Sequence, residues 1–75
     1  MARLRIIDYH LLQLNDGNTL KRLDAIEQLR LLGAIEAMEV LRQLCERDSD
    51  YNVRLAAQKA GRYLFGVLVG KQDTS

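Results

Sequence analysis

Leu20–Leu64, LKRLDAIEQLRLLGAIEAMEVLRQLCERDSDYNVRLAAQKAGRYL, is the stretch whose reading decides the fold. A pattern returns along it at a constant offset of 32 residues: Arg22 as Arg54, Ala25 as Ala57, Arg30 as Arg62 and Leu32 as Leu64. Just upstream, Asp16 returns as Asp48 and Leu12 as Leu44. A fixed period in the thirties is the trace of a stacked helical array, in which each unit buries its apolar face against its neighbours. The stretch therefore predicts an all-α chain whose role is a binding surface.

The segments around it fit this reading. Over Arg3–Asn15, Leu4, Ile7, Leu11 and Leu14 recur at spacings of three and four, one stripe of a helix. Ile6, Tyr9 and Leu12 widen the stripe, as contact with more than one neighbour would require. Asp16-Gly17-Asn18 breaks the helix: Gly17 suits a left-handed helix end and Asn18 or Thr19 suits a cap. A second helix is predicted over Leu20–Leu32 and stops at Gly33. A third follows almost at once over Ile35–Arg47, and so short a connection predicts that these two lie back to back, antiparallel. Asp48-Ser49-Asp50 caps a fourth, over Tyr51–Val69. Its Ala56, Ala57, Ala60 and Gly61 are small enough for close approach by another helix. Lys71–Ser75 is polar and predicted to fray.

Composition narrows the function. The 75 residues allow one small domain, 1–75, and 48% hydrophobic content makes it too apolar to stay disordered. Eleven basic residues against ten acidic give a net charge of +1, no field for steering to nucleic acid or an anionic membrane. One cysteine, Cys45, precludes an internal disulfide and suits a reducing, cytoplasmic setting. Asp8, Tyr9 and His10 interrupt any signal-peptide core, and no run approaches the roughly 20 apolar residues of a membrane span. Proline is absent, which favours uninterrupted helices.

The chain resembles HEAT-like repeats of the bilin-lyase (phycobilisome-lyase) type. Asp48, Asp50, Val53, Arg54, Ala56, Ala57, Ala60 and Leu64 match one copy of that pattern. Asp16, Arg22, Ala25, Leu29, Leu32 and Gly33 match the preceding copy, and Glu36-Ala37-Met38 with Leu41 match its second helix. Lys21 departs from the pattern where Val53 keeps it, and Gly61 departs where Leu29 keeps it. The resemblance implies a short right-handed α-solenoid of about four helices: a trailing helix, one full antiparallel pair and a leading helix. It also implies that Arg22 and Arg54 tie one repeat to the next through acidic or carbonyl groups at the turns, with Asp16, Asp48 and Asp50 available. The setting it suggests is bilin attachment, or the assembly or breakdown of phycobilisomes.

No chemistry emerges. His10, Asp8, Asp16 and Cys45 are the conceivable ligands or nucleophiles, and no two stand at a ligand spacing. The reading assigns no catalytic residue, no metal and no cofactor. Arg30, Arg42, Arg47, Lys59 and Arg62 could form a basic stripe, but Glu27, Glu39 and Glu46 dilute it. Glu27–Arg30 and Glu39–Arg42 have the spacing of solvated helix pairs. The last helix, however, ends Tyr63-Leu64-Phe65-Gly66-Val67-Leu68-Val69. Phe65 and Leu68 lie on a different face from Leu64. Either the helix bends at Gly66 and folds this tail onto the core, or Tyr63, Phe65, Val67, Leu68 and Val69 form an interface. The second is favoured. It makes the chain a non-catalytic adaptor or assembly factor, either a homo-oligomer or docked on a larger protein. The alternatives are a small bilin-lyase-like or phycobilisome assembly or degradation subunit and, behind it, a helical-repeat nucleic-acid binder.

Overall fold

The computed structural model describes residues 2–72, with side chains for residues 5–70. Four α-helices account for most of it: α1 (Ala2–Gln13), α2 (Thr19–Leu31), α3 (Met38–Arg47) and α4 (Tyr51–Gln72), with a 3-10 turn at Ile35–Ala37 leading into α3. No strand occurs among the described residues. Within the expected tail of 71–75, Lys71 and Gln72 continue α4. Residues 73–75 lie outside the described part.

The two acidic turns are built alike. The Asp16 carboxylate accepts the Asn18 N–H at 2.8 Å, and Asn18 caps α2 by accepting the Leu20 N–H at 2.9 Å. One period later Asp48 accepts the Asp50 N–H at 2.9 Å, and Asp50 accepts the Val53 N–H at 3.1 Å at the start of α4. Side chains thus satisfy amides that a helix start leaves without partners. Gly17 takes no left-handed conformation, contrary to expectation. The Asp16 side chain makes the turn, so no positive φ is needed.

Gly33 does take it, with φ of 63°. Its N–H donates to the Arg30 carbonyl and the Ala34 N–H to the Leu29 carbonyl, both at 3.0 Å. These are the two bonds of a Schellman stop, and Leu29 and Ala34, the positions whose apolar contact accompanies such a stop, are both fully buried. The position one period on is Phe65, which gains nothing from a left-handed backbone. So α2 stops where α4 runs on, and α4 does not break at Gly66.

The pairing of helices differs from expectation. The helix α1 packs on α2, α3 packs on α4, and the two hairpins join through α2 against α4. The back-to-back pair expected for α2 and α3 is not among the packed pairs. The acidic turns bring their flanking helices together, whereas Gly33, Ala34 and the 3-10 turn carry the chain across. The unit is the hairpin around each acidic turn, so the chain holds two like hairpins. Between them lie the buried Ile7, Leu14, Ala25, Ile26 and Leu29 from the first, and Ala37, Leu41, Val53, Ala57, Ala60 and Leu64 from the second. Each large aliphatic side chain so buried contributes about 2 kcal/mol. Ala57 and Ala60 let α4 approach α2 closely.

Candidate interaction surface

Arg22 joins the hairpins. Its Nη2 donates to Asp48 Oδ1 at 3.1 Å, and its Nε lies 3.0 Å from Oδ2, an ion-pair contact off the hydrogen-bond line. Its Nη1 donates to the Asp16 carbonyl at 2.8 Å. Both side chains are nearly buried, 11% and 7% exposed. Arg54 repeats the local half of this geometry, donating from Nη1 to the Asp48 carbonyl at 2.7 Å. Its guanidinium also stacks over the Tyr51 ring at 5.8 Å. The expected partners are thus Asp16 and Asp48; Asp50 serves instead as the α4 cap.

At the end of α4 the proposed interface residues divide. Tyr63, Phe65 and Val69 are exposed, with Phe65 at 57%. Val67 and Leu68 are half-buried. Arg30 reaches over the Tyr63 ring at 5.3 Å. Phe65 also forms one wall of an open groove of about 460 Å³ between α3 and α4. Met38, Cys45, Ala57 and Gly61 line it with Phe65, and Glu39, Arg42, Glu46 and Arg62 stand beside them. No close packing explains Gly61, since a Cβ there would meet nothing within 4 Å. Its absent side chain deepens the groove.

The 32-residue offset gives this groove a meaning. Subtracting it turns Glu39, Glu46, Gln58 and Gly61 into Ile7, Leu14, Ile26 and Leu29, the buried face that receives the second hairpin. The groove is therefore the repeat of an internal packing surface, dressed with charge and small residues. The sequence contained this signal in Gly61 for Leu29, but its value depended on knowing which helices pair. The reverse face of the first hairpin exposes Tyr9 at 57% and Leu12 at 73%, the counterparts of Leu41 and Leu44.

Two of the five residues of the basic stripe, Arg30 and Arg42, are paired with glutamates. Arg30 donates to Glu27 from Nε at 3.0 Å and Nη2 at 2.6 Å. Arg42 donates to Glu39 from Nε at 3.2 Å and to Glu46 from Nη1 at 2.9 Å. The hydrogen bond from Arg30 lowers the Glu27 carboxyl below its ordinary range, and the one from Arg42 does the same to Glu39. Hydrogen bonds to those carboxylates raise the Arg30 and Arg42 guanidiniums. Such pairs hold the cations that a nucleic-acid face would have to offer to phosphates.

His10 is half-buried, its ring edge-on to Tyr9 at 5.2 Å, with Nδ1 buried and without a hydrogen-bond partner. Cys45 is half-buried in the groove. Among the described residues, no three His, Cys, Asp or Glu side chains cluster to hold a metal. No helix there is long and apolar enough to cross a membrane.

No protein-family model, no curated protein and no solved structure matches the chain.

Proposed function

We propose that the chain is a non-catalytic protein–protein interaction module, an adaptor or assembly factor made of two HEAT-like hairpins. The observation that carries this is the outward α4 surface, where exposed Phe65 borders the groove between α3 and α4. Apolar side chains beside an open groove, flanked by charged ones, are the arrangement of a partner-binding patch. The bilin-lyase-like and nucleic-acid readings stand behind it. Cys45, half-buried, is the one thiol of the groove that a bilin could meet, and the pairing of Arg30 and Arg42 with glutamates disfavours the nucleic-acid reading.

The test is Phe65→Glu. The side chain is exposed, so the variant should keep the wild-type circular dichroism spectrum and melting temperature. Cross-linking at matched concentration should then show its protein contacts, to itself or to others, reduced about tenfold. A variant that folds normally and keeps every contact sinks the proposal. Appearance of bilin absorbance on mixing with free bilin would instead favour the enzymatic reading.

A further inference from the structure

The Arg22–Asp48 bridge exists once among the described residues, yet each hairpin carries half of another. Arg54 is mounted as Arg22 is. Each guanidinium is held by the turn carbonyl six residues back, at 2.8 Å for Arg22 and 2.7 Å for Arg54. Each also meets the side chain three residues back: Thr19 Oγ1 at 3.3 Å for Arg22, the Tyr51 ring for Arg54. The difference lies at the remaining edge. For Arg22 it faces the Asp48 carboxylate. For Arg54 no carboxylate faces it among the described residues. Asp16 shows the converse. It accepts the N–H two residues on, as Asp48 does, but no cation among the described residues reaches its carboxylate.

We propose that a second copy of this chain supplies the missing half. Its first hairpin stacks on the second hairpin of the first copy, advanced by one further 32-residue step. Arg54 then grips Asp16 of the second copy as Arg22 grips Asp48. This inference rests on the interaction-module reading and names its partner.

The surfaces suit that step. In the stacked copy Tyr9 and Leu12 fall where Leu41 and Leu44 fall one step earlier, facing the groove of Met38, Cys45, Ala57, Gly61 and Phe65. Arg5 and Lys21 of the second copy, both exposed, fall at the positions of Ala37 and Val53. The receiving face carries Glu39 and Glu46 where the internal one carries Ile7 and Leu14. Charged groups, including Arg42 that already pairs with both glutamates, thus replace part of the apolar contact. The joint between copies is weaker than the joint within one, and salt weakens it further. It is heterologous, with different surfaces meeting, so it propagates into chains or rings instead of stopping at a twofold dimer.

The experiment is sedimentation of the full chain over a dilution series, in low and high salt. Wild type should pass beyond dimer as concentration rises and retreat about tenfold in 0.5 M salt. Arg54→Glu and Asp16→Arg should each self-associate at least tenfold less. An equimolar mixture of Arg54→Glu with Asp16→Asn, which brings no replacement charge, retains one intact Arg54–Asp16 joint and should form a 1:1 heterodimer that grows no further. Asp16→Asn also stands in alone if Asp16→Arg fails to fold. A wild type that stays monomeric at every concentration overturns the proposal. So does a dimer that both variants leave intact, because that dimer uses another face. A monomer whose Phe65-dependent contacts to other proteins survive would overturn this inference alone and leave the interaction-module reading standing.

Discussion

Asp48 holds three parts of the chain at once. Its carboxylate meets Arg22 across the hairpins, the same carboxylate accepts the Asp50 N–H, and its carbonyl accepts from Arg54. Asp16, its counterpart, performs the two local tasks without the bridge. Asp48→Ala should therefore cost about 3 kcal/mol in urea unfolding, since it strands a nearly buried guanidinium. Asp16→Ala should cost about 1 kcal/mol, the loss of one local hydrogen bond. Equal losses at the two positions would mean that the bridge adds nothing. The arginine positions and acidic turns were legible in the sequence because they recur at the 32-residue offset. That Asp48 rather than Asp50 receives Arg22 was not, because Asp50 is equally acidic and only two residues away. The capping demand of α4 separates them. Gly17 and Gly33 show the same limit: both follow helices, but at Gly17 a carboxylate makes the turn.

The helices themselves were nearly all legible, with ends displaced by up to three residues and the start of α3 tightened into a 3-10 turn. Their partners were not. Periodicity marks which side of a helix is apolar and leaves open which neighbour covers it. Here the acidic turns set the hairpins, and the Schellman stop at Gly33 sets the crossing between them. Gly33→Ala should cost about 1–2 kcal/mol, because an L side chain must then occupy a left-handed backbone. Gly66 sits exposed within α4 with open space where a Cβ would go. Gly66→Ala should accordingly stabilise the protein by about 0.5–1 kcal/mol. Thermal melts of the two variants should move in opposite directions; a loss at Gly66 would indicate that α4 needs to flex there.

At the scale of the whole molecule, the exposed pairs make stability depend on acid. The Glu27 and Glu39 carboxyls are lowered from the ordinary value of 4.5, chiefly by hydrogen bonds from Arg30 and Arg42. A depressed folded value contributes stability that is fully present above the ordinary one. That contribution disappears as pH falls through the lowered values. Melting temperature should thus fall on acidification below 4.5, and both pairs, being exposed, should lose most of this effect in 0.5 M salt. A salt-independent acid transition would assign it to other groups. These pairs were read from spacing alone, since helix geometry puts residues three and four apart side by side. The groove was not so readable, because it lies between the two helices of one hairpin and periodicity does not say which helices pair. The unbroken run of α4 has a last consequence, in time. Its last fully buried residue among those described is Leu64, and the helix from Phe65 to Gln72 adds about 12 Å beyond it. Amides on the two sides of that point should keep different clocks under hydrogen exchange. Those up to Leu64 open only when the hairpins part, while those past Gly66 unzip from the helix end, far more often. One rod then reports both the strength of the core and whatever docks at its tip.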